Sequence, residues 1–147
     1  MASLPTGVTI VATNGADGPA GATANAVCSL SIEPMLMLAC LDRGSRTLLA
    51  AQAADRFSVS VLHDGQEGIA RSFATKAPVG EKWAGVAWSE RDGLPAIDDA
   101  LLWVACDLQD VIVAGDHVIL TGAVTDLTTA AGTPLVFHAG DYRPLAE

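Results

Sequence analysis

Four groups of residues carry the chemistry of this chain. The first is Gly21-Ala22-Thr23-Ala24-Asn25-Ala26-Val27-Cys28-Ser29. Ala24, Ala26 and Cys28 alternate with Asn25, Val27 and Ser29, where a buried strand would ordinarily carry bulk. Small side chains let a flat ligand lie close to the main chain, and Thr23, Asn25 and Ser29 offer hydrogen bonds to its polar edge. The second group is Asp42-Arg43-Gly44-Ser45-Arg46-Thr47. A strand end opening into a helix N-terminus points free N–H groups and the helix dipole at an anion, and arginines add charge-assisted bonds. The third is Phe73-Ala74 with Lys82-Trp83. A lysine at a pocket mouth neutralises a phosphate, and an aromatic neighbour walls off a ring. The fourth is Gly115-Asp116-His117, a turn that sets an imidazole at the start of a strand, suited to orienting a ring or shuttling a proton.

Each group also fits an ordinary structural role. The first would make a tightly packed strand, the second a capped helix with solvated arginines. The third would be a surface lysine beside a core tryptophan, the fourth a turn histidine held by Asp116. Other chemistries find less support. Ser29 and His117 are of nucleophile and base type, but no nucleophile elbow frames them. Asp98-Asp99 has no second carboxylate placed by spacing, and the Gly-x-Gly-x-x-Gly and P-loop patterns are absent. Cys28, Cys40 and Cys106 form no Cys-x-x-Cys or Cys/His cluster. Their odd number and wide spacing predict reduced, buried thiols in a cytoplasmic protein.

The elements that must position these groups are mostly strands. Residues 6–13 are rich in β-branched side chains and read as a strand. Asn14-Gly15 and Asp17-Gly18-Pro19 supply turn chemistry, so residues 21–29 return as the second strand of a hairpin. Glu33-Pro34 breaks it, and residues 35–41 are apolar enough for a strand buried on both faces. Residues 45–53 read as a short helix with Ser45 as N-cap. Residues 57–62 alternate at period two, and residues 66–73 form a second short helix with Ile69 and Phe73 on one face. The second half reads as strands over residues 101–108, continued by 110–113, then 117–127, with a bend or bulge at Gly122, and 135–138. A final turn at Ala139-Gly140-Asp141 leads into Tyr142-Arg143. Short strands, close turns and two small helices suggest a closed or partly closed antiparallel barrel.

The chain of 147 residues is half hydrophobic and only 17% charged, which fits one globular domain, residues 1–147, with a real core. Low charge with an apolar excess also suggests surface buried by a partner subunit. A formal net charge of −9 and the lack of a basic cluster argue against nucleic acid and anionic membranes. No apolar run is long enough to span a membrane, and residues 1–6 lack signal-peptide character, so a cytoplasmic location is expected.

Taken in order, Leu4-Pro5-Thr6-Gly7-Val8, Thr23-Ala24-Asn25-Ala26, Ser29-Leu30-Ser31, Cys40-Leu41-Asp42-Arg43, residues 57–62, Phe73-Ala74, Gly115-Asp116-His117 and Tyr142-Arg143 resemble the flavin reductase-like family. The resemblance is to the short-chain flavin reductases of two-component monooxygenases. It implies a mainly β fold, a Greek-key split β-barrel (FMN-binding split barrel) with two or three short helices. It also implies a homodimer that passes hydride from NADH or NADPH to FMN or FAD and supplies a partner monooxygenase. By position, Thr23, Ala24, Asn25, Ala26, Val27, Cys28 and Ser29 would line the isoalloxazine ring. Asp42, Arg43, Ser45 and Thr47 would reach the ribityl chain and phosphate, with help from Lys82. Phe73, Ala74 and Tyr142 are further cofactor contacts, and His117 is the catalytic candidate beside the nicotinamide. The family usually has a longer helix before the first strand, a second proline after Glu33-Pro34, and a hydroxyl residue at the place of Cys28. A binding protein of the same fold that carries electrons without turning over NAD(P)H is the alternative.

Overall fold

The computed structural model describes residues 1–145. Its strands are β1 (Thr6–Gly7), β2 (Thr9–Gly15), β3 (Gly18–Ala24), β4 (Val27–Ile32), β5 (Met35–Asp42) and β6 (Arg56–Val61). They continue with β7 (Trp88–Arg91), β8 (Leu94–Ile97), β9 (Leu102–Ala114), β10 (His117–Thr129), β11 (Leu135–His138) and β12 (Asp141–Pro144). The helices are α1 (Arg46–Ala54), α2 (Glu67–Phe73) and α3 (Val79–Trp83), with a 3-10 turn over Asp64–Gln66 before α2.

Seven strands form one sheet in the order β3-β2-β6-β9-β10-β5-β4. Thus β3 and β4 sit at opposite edges, yet only Asn25 and Ala26 link them. Laid flat, seven strands would hold their edges about 29 Å apart. A two-residue link reaches about 11 Å at full extension. The sheet must therefore curl until its edges meet at Asn25-Ala26, where Cys40 N–H donates to the Ala26 carbonyl at 2.9 Å. The edges do not zip along their length, which leaves a barrel split on one side. A three-stranded sheet, β1-β11-β12, and the hairpin β7-β8 pack outside it.

Strand β2 buries both faces. Val11 joins Leu41, Phe57, Val59 and Leu120 inside the barrel. Ile10 and Ala12 face a second core with Leu62, Phe73, Trp83 and Leu135. This second core fixes α2 and α3 against the barrel beside β3. The bend expected at Gly122 is present: the β9–β10 register shifts between Thr121 and Gly122. A Cβ there would stand 2.6 Å from Cys106 Cβ and 2.7 Å from the Phe57 ring. The missing side chain is what lets Phe57 fill the barrel.

Three expectations need correction. Residues 21–29 are not one strand, because the chain turns from one sheet edge to the other at Asn25-Ala26. Residues 35–41 are not buried on both faces: Met35 is exposed, Leu36 to Leu38 are half-buried, and only Ala39 and Leu41 are buried. Of the thiols, Cys106 is buried, Cys40 is half-buried and Cys28 is exposed, and all three are free. The sequence reading also missed the β7–β8 hairpin. Its turn is Asp92-Gly93, both with positive φ (49° and 73°), the pattern of a type I′ turn. No helix among the described residues is long and apolar enough to cross a membrane.

Replacing Gly122 with alanine forces Phe57 or the strand to shift. The expected loss is about 1–3 kcal/mol, read as a lower urea midpoint. Burial pushes the Cys106 thiol up to about 12, so it stays protonated at neutral pH. Iodoacetamide should modify Cys106 only once the protein is unfolded, as read by peptide mass spectrometry.

Candidate functional site

The split in the barrel opens into a cleft of about 590 Å³, within the range of small-molecule sites. One wall is β3 and the link after it, contributing Gly21, Ala22, Thr23, Ala24, Asn25 and Ala26. As an edge strand, β3 hydrogen-bonds to β2 on one side only. Alternate N–H and C=O groups on its other side therefore face outward. Gly21 has a steric reason: a Cβ there would lie 2.7 Å from the Phe73 ring and 3.0 Å from that of Trp83. Phe73 and Trp83 meet edge to face at 4.7 Å behind this strand. The Thr23 hydroxyl donates to the Ala70 carbonyl at 2.6 Å and ties α2 to the wall.

The facing wall comes from the end of β5, through Cys40, Leu41 and Asp42, and from His117 on β10. Asp42 and His117 are paired residues of neighbouring strands. The His117 Nδ1 lies 2.8 Å from Asp116 Oδ1. That hydrogen bond, with the imidazole's charge, holds the Asp116 carboxyl below its ordinary value. With Asp116 ionised, the proton sits on Nδ1, and in the neutral ring Nε2 is left as acceptor.

The far end is the start of α1. Ser45 caps the helix in extended geometry, its hydroxyl accepting from Leu48 N–H at 3.4 Å. The Asp42 carboxylate accepts from Gly44 N–H at 2.7 Å and shapes the turn into the helix. Arg46, Lys76 and Lys82 all line this end, so it is cationic although the chain is acidic. The Arg46 guanidinium donates to the carbonyl of Lys76 at 3.0 Å and to that of Ala77. It thereby straps the loop after α2 across the cleft. The Lys82 ammonium donates to the carbonyls of Phe73 (3.3 Å) and Gly21 (3.4 Å). Burial, and secondly the neighbouring Arg46 charge, lower its pKa.

Of the residues singled out from sequence, the cleft brings together Thr23, Ala24, Asn25, Ala26, Asp42, Ser45, Thr47, Phe73, Ala74, Lys82 and His117. Val27, Cys28 and Ser29 lie on β4, beyond the link, and are not among its lining. Arg43 is turned away: its guanidinium donates to Gly115 O at 3.3 Å and its N–H to Asp116 O at 3.1 Å, bracing the turn that carries His117. Tyr142 lines a smaller adjoining cavity of about 200 Å³ with Val8, Thr23, Asn25, Ala74 and Phe137. Sequence reasoning missed Thr75, Lys76 and Val79 as lining residues. Nothing in a polar loop signals that a distant arginine will fold it over a cleft. Gly21 and Cys40 were within quoted motifs but not selected. Among the described residues, no cluster of histidine, cysteine and carboxylate side chains could hold a metal.

A barrel with one open seam, small residues along it and a cationic helix start at its end is the architecture of a split-barrel flavoprotein. The model of the flavin reductase like domain matches residues 1–146, and the chain belongs to that family. It is 40% identical over 142 residues to a probable flavin reductase of Rhizobium meliloti, covering 95% of this chain but 45% of that protein. It is 36% identical over 141 residues to the flavin-dependent monooxygenase reductase subunit HsaB of Mycobacterium tuberculosis, covering 93% of this chain and 74% of that protein. The chain thus spans less than half of the first relative and about three quarters of the second. Among solved structures, the Streptomyces globisporus NADH:FAD oxidoreductase SgcE6 superposes with a TM-score of 0.92 at 34% identity, covering 99% of this chain and 88% of that one.

Removing the strap should free the loop. In Arg46→Ala the backbone amides of residues 75–77 are expected to exchange at least about tenfold faster by hydrogen-exchange mass spectrometry, with the barrel strands unchanged.

Proposed function

We propose that this chain is an NADH-dependent flavin reductase acting as one domain, supplying reduced flavin to a partner monooxygenase. The observation that carries the reading is the continuity of two unlike surfaces in one cleft. An open strand edge of small residues suits a planar ring with a polar rim. It runs directly into a cationic helix start that suits a phosphate. The names of relatives support the same reading: a reductase subunit of a monooxygenase and an NADH:FAD oxidoreductase.

The donor set fits a flavin. Thr23, Ala24, Asn25 and Ala26 present main-chain groups to the ring edge. Ser45 and Thr47 at the α1 N-terminus, with Lys82, hold the phosphate; Arg46 holds the loop that covers it. Phosphate charge would satisfy the Lys82 ammonium and restore its hold on its proton. Bound flavin supplies the two-electron acceptor for the hydride of NADH, whose transfer needs orientation more than acid–base machinery. His117, steadied by Asp116, stands at the mouth to orient the nicotinamide.

Exposed apolar side chains support a homodimer. Leu30, Ile32 and Met35 on the β4–β5 hairpin and Val111, Ile112 and Val113 on β9 are all 40% exposed or more. A second copy would cover them, and size-exclusion chromatography with light scattering should read twice the chain mass. A cytoplasmic location fits the free thiols.

Purified protein supplied with FMN or FAD should oxidise NADH, followed by loss of NADH absorbance. Yellow protein that leaves NADH intact would select the electron-carrier reading instead. Lys82→Met is expected to weaken FMN about tenfold while leaving riboflavin, which lacks the phosphate, unchanged. His117→Ala should slow turnover about tenfold or more with FMN affinity retained, because the imidazole contacts the donor and not the phosphate.

A further inference from the structure

Lys76 and Lys82 are the only lysines of the chain, and both line the cationic end of the cleft. Their settings differ. Lys76 is exposed and Lys82 is half-buried. The Lys82 Nζ donates to the carbonyls of Gly21 at 3.4 Å and Phe73 at 3.3 Å. An ammonium has three donors. The two carbonyls take two of them, and the third has no partner among the described residues. Once that third proton is lost, the other two N–H groups keep both carbonyls. The lone pair then occupies the free tetrahedral position, turned away from both.

The setting also eases loss of that proton: burial first, then the Arg46 charge, lower the Lys82 pKa. The neutral amine is the nucleophile, so a larger share of Lys82 than of an exposed lysine is ready to react at neutral pH. Arg46 lines the same end of the cleft. Its bonds to the loop carbonyls of Lys76 and Ala77 both come from Nη2. Nη1 and Nε have no partner among the described residues and are free to hold a phosphate. A guanidinium that holds an anion beside a nucleophilic amine suits a molecule whose phosphate is bonded to an electrophilic carbon. Acyl phosphates have that structure.

We infer that Lys82 is an acylation site, which takes the acyl group of a small acyl phosphate and thereby disables the phosphate end of the cleft. The Nζ lone pair forms a bond to the acyl carbon. The bond from that carbon to the phosphate oxygen breaks, its electron pair leaves with inorganic phosphate, and the amine's surplus proton passes to that phosphate. Nothing is oxidised or reduced. The product is a neutral amide with one N–H in place of a cation with three. One N–H cannot hold the carbonyls of both Gly21 and Phe73, so the side chain also releases part of its hold on the wall. The consequence for activity rests on the reductase reading: a flavin phosphate loses its cation, and a rise in acyl phosphate idles the enzyme.

The test exposes flavin-free wild-type protein to acetyl phosphate and follows each lysine by peptide mass spectrometry over time. Lys82 should be acetylated about tenfold or more faster than Lys76. In urea-unfolded protein the two should react alike, which separates the effect of the fold from that of sequence. Inorganic phosphate should slow the reaction at Lys82, and chloride at equal ionic strength should not. Protein acetylated at Lys82 should bind FMN about tenfold more weakly and riboflavin as before. Acetylation of Lys82 no faster than that of Lys76 in the folded protein, or a rate indifferent to phosphate, overturns the site. Selective, phosphate-sensitive acetylation of a protein that leaves NADH intact with flavin present sinks the reductase reading and keeps the acylation site.

Discussion

Everything in this protein depends on a link that is too short for a flat sheet. Asn25 and Ala26 connect the two outermost strands of a seven-stranded sheet. That constraint curls the sheet and joins its edges at a single corner. The remaining length of the two edges stays apart, and the seam becomes the cleft. Fold and site therefore share one cause, and the residues at the corner are cleft residues by construction. Gly21 lets Phe73 and Trp83 close up behind β3, while Ala22 and Ala24 pack on the barrel core, so the strand meets the seam with its main chain.

Charge is arranged with the same economy. The chain is strongly acidic, yet Arg46, Lys76 and Lys82 meet at the start of α1. Among the described residues no carboxylate pairs with any of the three; the hydrogen bonds of Arg46 and Lys82 run to backbone carbonyls of the covering loop, of β3 and of α2. Local potential decides what a cleft attracts, and a desolvated ammonium is a stronger attractor than the net charge is a deterrent. Elsewhere cations serve the fold. Arg56 binds Asp92 and Asp107 and locks the β7–β8 turn to β6 and β9.

Much of this was legible in the sequence because it rests on local rules. Ser45 announces a helix start, Gly122 a disrupted strand, and Gly115-Asp116 a turn that sets His117 at a strand end. The run of small residues before Val27 marks the cleft wall. What was not legible depends on chain crossings. Residues 21–29 look like one strand, since composition does not say that Asn25-Ala26 jumps between sheet edges. Val27, Cys28 and Ser29 consequently fall on β4, at the opposite edge from the Thr23–Ala24 end of β3. Arg43 and Arg46 look equivalent by spacing, but one braces a turn and the other spans the cleft, a choice made by the far-off loop of residues 75–77. The exposed face of residues 35–41 was hidden for a related reason: an apolar run reads the same whether its cover is this chain or another.

Strand β3 has no strand beside it on one side, and only the Gly21 carbonyl is met there, by Lys82. Proteins usually blunt such a border, because unsatisfied strands adhere to one another. Here the border faces the cleft, and in the proposed reading a flat ligand would take the place of an eighth strand. An occupied border would be a covered one, so the same ligand that serves the chemistry would also guard the protein against its own copies.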